Sequence, residues 1–287
     1  MIPMKGRSFL TLKDFTREEI VDLLHLSAAL KAKKQGLQYP EALQGKLLAG
    51  KNIVLIFDKS STRTRCSFEV AAFDEGACVT FLTNSQMGKK ESIEDTAKVL
   101  GRMYDGIQYR GFSPQVVRDI AHYSCVPVWN GLTDDDHPTQ VLADVLTAME
   151  HTQKEPQDLK FAYIGDGRNN VSNALMIGAA KLGMEYRIAS PKELFPSQDL
   201  LDELAPIAKE SGAKLMVSTD PIEAVKDVDV IYTDVWVSMG EEDQTEARIS
   251  LLKEYQVTME LLNASGNDQV IFEHCLPSFH DLNTSVA

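Results

Sequence analysis

Short apolar runs alternating with helix-patterned stretches set the strongest limit on what this chain can fold into. Runs at 53–57, 77–82, 107–109 and 126–129 are separated by helical stretches at 66–74, 92–104 and 114–123. A helical stretch at 139–150 leads into a polar segment, 151–158, and the alternation then restarts. Further runs fall at 161–164, 186–189, 215–217, 230–232 and 270–272, with helical stretches at 169–182 and 197–210 closed by Gly183 and Gly212. Parallel strands require crossover connections, so this pattern implies an α/β fold with parallel sheets. Two open parallel-sheet α/β domains are expected, at residues 1–150 and 151–287, with the active site in the cleft between them. One more helix, over 15–31, opens the chain, with Thr16 and Glu19 spaced as a capping box.

The 287 residues suffice for two domains of common size. With 29 basic against 42 acidic residues the net charge is −13, so an anionic ligand has to be captured by a local cluster of positive groups working against the mean field. General binding to nucleic acid or to an anionic membrane is not expected. Cys66, Cys78, Cys125 and Cys275 are scattered without zinc-type spacing. The sequence begins with no secretory signal pattern and has no apolar run of membrane-spanning length, which is the reading expected of a reduced, cytoplasmic protein.

Ligands of open α/β sheets sit beyond the carboxyl ends of the strands, so the chemistry is sought there. After the run 53–57 comes Asp58-Lys59-Ser60-Ser61-Thr62-Arg63-Thr64-Arg65, just before a helix. Hydroxyls, arginines and open N–H groups at a helix start form an anion site, although a capped surface helix with solvated arginines has the same look. The Walker pattern is absent. Arg110 follows the run 107–109, and His137-Pro138-Thr139-Gln140 follows the run ending at Trp129. Each has a bland reading, a surface ion pair or a helix start; together with 61–65 they favour an oxyanion or phosphate site. In the second half, Gly165-Asp166-Gly167-Arg168-Asn169-Asn170 lacks the third glycine of the dinucleotide fingerprint. Thr233-Asp234 and His274-Cys275-Leu276-Pro277 end adjacent runs, where an acid and a thiol can bind and polarise an amine or simply be structural.

Ser61-Thr62-Arg63-Thr64-Arg65 with His137-Pro138-Thr139-Gln140 resembles the carbamoyl-phosphate signature of the aspartate and ornithine carbamoyltransferases. Asp234-Val235-Trp236-Val237-Ser238-Met239-Gly240 and His274-Cys275-Leu276-Pro277 resemble the ornithine branch, and the motifs run in order between about residues 6 and 280. The resemblance implies transfer of a carbamoyl group from carbamoyl phosphate to the side-chain amine of L-ornithine, giving L-citrulline and phosphate, a step of arginine biosynthesis. It implies no metal and no organic cofactor. It assigns Ser61, Thr62, Arg63, Thr64, Arg110, His137 and Gln140 to carbamoyl phosphate, with Gln86 reaching a neighbouring subunit's site in a homotrimer. Asn170, Asp234, Ser238 and Met239 go to ornithine, and Cys275 with Leu276 to the wall near the reacting carbon. Arg63, Arg110, His137, Asp234 and Cys275 are the expected catalytic set.

The resemblance also implies a longer C-terminus, with a helix packing back on the first domain and carrying an arginine that has no counterpart here. Residues 1–287 are accordingly expected to be less stable and less active than an extended version. Two other classes compete at this point. A nucleotide-dependent oxidoreductase would leave the 61–65 cluster without a role, and a binding remnant would hold carbamoyl phosphate without turnover. Within the enzyme class, a carbamoyltransferase for another amine or amino acid is the rival.

Overall fold

The computed structural model describes residues 4–83, 85–237, 243, 245–276 and 278. The chain divides into two compact units, Met1–Leu142 and Ala143–Ala287. Helix α1 (Arg17–Lys34) opens the first unit, and its start is dictated locally. The Thr16 hydroxyl accepts from the Glu19 N–H at 3.3 Å while Glu19 Oε2 accepts from the Thr16 N–H at 2.9 Å, the reciprocal pair expected from the spacing.

The first sheet comprises β1 (Asn52–Phe57), β2 (Cys78–Thr83), β3 (Gly106–Arg110) and β4 (Val128–Leu132), all parallel, in the order β2-β1-β3-β4. Helices α2 (Thr62–Asp74), α3 (Ile93–Met103) and α4 (Pro114–Ser124) make the crossovers. One face of the sheet offers Val54, Ile56, Ile107, Tyr109 and Val128 to Leu100, Val117 and Ile120, and the other offers Ile53, Leu55 and Phe57 to Phe68 and Ala72. Strand β1 is buried on both faces, which is why it reads as an unbroken apolar run.

The second unit holds β5 (Lys160–Ile164), β6 (Glu185–Ala189), β7 (Lys214–Ser218), β8 (Val230–Thr233) and β9 (Ile271–His274), again all parallel, ordered β7-β6-β5-β8-β9. Its crossovers include α6 (Asn170–Leu182), α7 (Gln198–Ser211) and the short α8 (Pro221–Ala224), and Gly183 closes α6 at φ 80°, a left-handed cap suited to glycine. Helix α5 (Pro138–Thr152) runs from the first unit into the second. Ala162, Ile164, Ala189 and Ile231 pack against Trp236, Leu252, Tyr255 and Leu261. The last three belong to the segment with α9 (Thr245–Leu252) and α10 (Met259–Ala264), helices the apolar pattern did not single out. The fold class is the expected α/β class with parallel sheets.

Among the element boundaries that differ from expectation, those of α2 and β4 bear on the site. Helix α2 starts at Thr62 rather than near residue 66, because the Ser61 hydroxyl caps it by accepting from the Thr64 N–H at 3.2 Å. Strand β4 covers 128–132 rather than 126–129. Asn130, a poor strand former, is held there because its Nδ2 donates to the Leu10 carbonyl at 3.0 Å and its Oδ1 accepts from the Leu132 N–H at 3.0 Å.

Candidate active site

The first unit gathers its chemistry beyond β1, β3 and β4. Because α2 begins at Thr62, residues Thr62, Arg63 and Thr64 form its first turn, whose N–H groups lack intrahelical acceptors and make up the positive end of the helix dipole, that of Thr64 donating to Ser61 Oγ. Arg110, the last residue of β3, is buried, and its Nη1 donates to Thr64 Oγ1 and to the Gly131 carbonyl, each at 3.3 Å. One guanidinium thus ties the α2 start to the end of β4. A break in register between Tyr109 and Arg110 pairs Arg110 with Leu132.

His137 is buried at the head of α5, with Nδ1 3.3 Å from Thr139 Oγ1. Burial, reinforced by the Arg110 charge, lowers its pKa to about 3, so the imidazole is neutral at physiological pH. When the Thr139 hydroxyl donates to Nδ1, the proton resides on Nε2 and that nitrogen is a donor. Gln140 follows one turn along, its N–H bonded to the His137 carbonyl at 3.0 Å. Arg63 and Thr62 are exposed, as is Gln86, whose carbonyl accepts from Lys89, Lys90 and Glu91 in the turn after β2. Arg65 has the bland role instead: it pairs with Glu69 at 2.9 Å and lies 3.7 Å over the Phe81 ring.

Sequence reasoning missed two residues here. Gln108 is fully buried on β3, its amide unpartnered among the described residues, and a Cβ on Gly131 would stand 2.0 Å from its Nε2. Glycine at 131 is therefore what lets this amide lie beside Thr64. Asp136, buried next to His137, has its pKa raised to about 6 by desolvation, with a Thr11 hydrogen bond and Lys13 opposing. Both look like ordinary strand and turn residues in the sequence, without a motif to mark them.

In the second unit Asn170 begins α6 immediately after its cap, Asn169, whose side chain accepts from the Val171 N–H at 2.8 Å. The turn before it is anchored by Asp166, which pairs with the buried Arg248 of α9 and with Arg168 at 3.5 Å. Thr233 and His274 are register partners, so Asp234 and Cys275 come one residue later at adjacent strand ends, as the spacing implied. Asp234 is buried, and desolvation raises its pKa against the Val235 N–H, His274 and Asn169, which favour the charged form. Cys275 Sγ is 3.1 Å from the Tyr232 hydroxyl, and Leu276 is exposed. Ser238 and Met239, with Gly240 and Pro277, lie outside the described residues. The structure thus collects Ser61, Thr62, Arg63, Thr64, Arg110, His137 and Gln140 at one set of strand ends, and Asn170, Asp234, Cys275 and Leu276 at another. Gln86 stands apart, after the edge strand β2.

Comparison with known proteins follows the same division. Residues 7–150 match the family described as aspartate/ornithine carbamoyltransferase, carbamoyl-P binding domain, and residues 157–287 match its Asp/Orn binding domain. An ornithine carbamoyltransferase of Limosilactobacillus reuteri is 58% identical over 286 residues, spanning 99% of this chain and 84% of that protein. A catabolic ornithine carbamoyltransferase of Clostridium perfringens is 57% identical over 286 residues, 99% of this chain and 85% of its own length. Among solved structures, the ornithine carbamoyltransferase from Pyrococcus furiosus superposes with a TM-score of 0.89 at 40% identity, covering 97% of this chain and 87% of that one.

Proposed function

Since this chain belongs to the aspartate/ornithine carbamoyltransferase family, we propose that it transfers the carbamoyl group of carbamoyl phosphate to the side-chain amine of L-ornithine, releasing L-citrulline and phosphate. The observation that carries the reading is similarity at 57–58% identity to relatives of that name along nearly the whole chain. We take residues 1–150 as the carbamoyl-phosphate domain and 151–287 as the ornithine domain, a division supported by the two matched ranges.

The chemistry needs a neutralised leaving phosphate and a polarised carbonyl. Ser61, Thr62 and Thr64, the first-turn N–H groups of α2 and Arg63 hold the phosphate, and Gln140 holds the carbamoyl amide. Arg110 and the Nε2–H of neutral His137 donate to the carbonyl oxygen, where negative charge grows as the amine adds. A neutral histidine serves here as a donor without carrying a second buried cation beside Arg110. Ornithine's amine attacks the carbonyl carbon, the bond to the phosphate oxygen breaks, and the amine's proton passes to Asp234 or to the departing phosphate. Burial makes Asp234 a stronger proton acceptor than an exposed carboxylate. Asn170, Ser238 and Met239 hold the rest of ornithine, and Cys275 with Leu276 forms the wall near the reacting carbon. An assay offering carbamoyl phosphate with ornithine, putrescine, acetylornithine or aspartate tests the reading. Citrulline formation from ornithine alone is expected, and preference for another acceptor would overturn it.

We also infer a homotrimer acting in the cytoplasm within arginine biosynthesis, with Gln86 of each copy serving a neighbour's site. Support comes from the exposed Val70 and Phe73 on α2, apolar groups suited to burial between copies. No helix among the described residues is long and apolar enough to cross a membrane. Light scattering should give close to three times 31.9 kDa.

A further inference from the structure

The face of the second sheet carrying Tyr163, Tyr232 and Glu273 presents a row of polar side chains on β5, β8 and β9, aligned by the register pairs Tyr163↔Tyr232 and Tyr232↔Glu273. Tyr232 is 1% exposed, and its ring stacks on Tyr163 with centroids 6.0 Å apart and planes 19° from parallel. The Tyr163 ring therefore restrains the Tyr232 ring, whose hydroxyl lies 3.1 Å from Cys275 Sγ. We propose that Tyr232 is a positioning residue for the transfer reaction, its O–H donating to the Cys275 sulfur so that the thiol is held in one rotamer, toward the amine-binding end of the sheet.

Either atom could donate in this bond, and the proposal assigns the proton to the phenol. Burial and the nearby Asp144 of α5 raise the phenol's pKa well above its ordinary value, so the hydroxyl keeps its proton and is available as a donor. Glu273, whose carboxyl oxygens make no hydrogen bond among the described residues, does not take that proton. Its own pKa is raised to about 9 by burial and by Asp144, which makes it a neutral carboxyl over most of the working range. The other titratable groups around the pair are Tyr163, Asp234 beyond β8, and His274, whose Nδ1 contacts the Cys275 carbonyl. A donor fixed on sulfur favours the thiolate over the thiol, and where the sulfur remains protonated it turns the S–H away from the phenol. Among the described residues Cys66, Cys78 and Cys125 are exposed on other elements, whereas Cys275 is half-buried with its sulfur against a phenol hydroxyl.

The proposal rests on the assignment of Cys275 to the amine pocket, and the test separates the two. In Tyr232→Phe the ring keeps its stack on Tyr163 and loses only the donor. The apparent pKa for iodoacetamide modification of Cys275, followed peptide by peptide by mass spectrometry, should rise by about one to two units, the size of one lost charge-assisted hydrogen bond. The ornithine KM should rise several-fold while that of carbamoyl phosphate stays within twofold, and in a Cys275→Ala background the same substitution should leave the ornithine KM unchanged. An unaltered alkylation profile overturns the proposal, as does an equal rise in KM in the Cys275→Ala background, which marks a merely structural tyrosine. A shifted profile with parental ornithine KM, alone and with Cys275→Ala, instead overturns the amine-pocket assignment on which the proposal rests. Should Tyr232→Phe fold poorly, 3-fluorotyrosine at 232 strengthens the donor and should lower the Cys275 pKa; a rise or no change then overturns the proposal.

Discussion

The carboxyl ends of the two sheets share an architecture and carry opposite chemistry. Beyond β1, β3 and β4 stand Arg63, the buried Arg110 and a neutral His137, with the N-terminal turn of α2; beyond β5, β8 and β9 stand Asp166, Asp234 and, on the last strand, Glu273. In a chain of net charge −13, the first set concentrates the positive groups needed against the mean field, while the second keeps acids, of which desolvation raises the pKa of Asp234 and Glu273. The same strand–turn–helix scaffold thus suits an anionic donor at one set of strand ends and a cationic amine at the other. The difference lies in a few residues after each strand, not in the strands.

The comparison is broken most severely at the positive end. Arg63→Ala and Arg110→Met should each lower turnover about 10²–10³-fold, the loss typical of one oxyanion donor. Arg110→Met should also loosen the contact between α2 and β4, since Thr64 and Gly131 lose their shared donor. Steady-state citrulline assays and thermal melts of both variants check this; near-parental turnover in Arg63→Ala would reduce that residue to an ordinary helix-start arginine.

At the acidic end, Asp234→Asn should raise ornithine KM by tens of fold with carbamoyl-phosphate KM little changed. In the parental protein ornithine KM should fall as pH rises from about 7 to 9, toward an amine pKa near 10. A flat KM across that range would remove Asp234 from amine handling.

The two ends should also answer pH with opposite signs. His137 is depressed to about 3 from 6.5, so its burial contributes stability above pH 6.5 that is lost as pH falls toward 3. Glu273 is raised to about 9 from 4.5, so its contribution is fully present below pH 4.5 and lost as pH rises through 9. Glu273→Gln should therefore raise the melting temperature at pH 8 by a few degrees and flatten its decline with alkali, whereas His137→Gln should do so on the acid side. Differential scanning calorimetry across pH 4–9 reads both, and parallel curves for parent and variants would refute the assignment of charge states.

The smallest effect is expected at the Ser61 cap. Ser61→Ala removes the acceptor for the Thr64 N–H and should cost about 1 kcal/mol of stability. Its effect on turnover sharpens the comparison, because it tests whether the α2 start acts through geometry as well as charge.

Much of this was legible in the amino-acid order, because the signals were local. Unbroken apolar runs marked strands covered on both faces, Thr16 and Glu19 marked the start of α1, and Gly183 and Gly212 closed α6 and α7 where left-handed backbone is required. The motifs at 61–65, 137–140, 234–240 and 274–277 named the chemistry because their residue types are short-range patterns. What the tertiary structure decided depends on partners far along the chain. Asn130 lies within a strand through a bond to Leu10, the Gln108 amide has its place because residue 131 has no side chain, and Asp166 holds Arg248 across 82 positions. Tyr232 reads as one more core residue of an apolar run until β9 is paired beside β8, which brings its hydroxyl to the Cys275 sulfur. Local propensity records only the nearest neighbours, and these contacts exist only once strand order and register have been chosen.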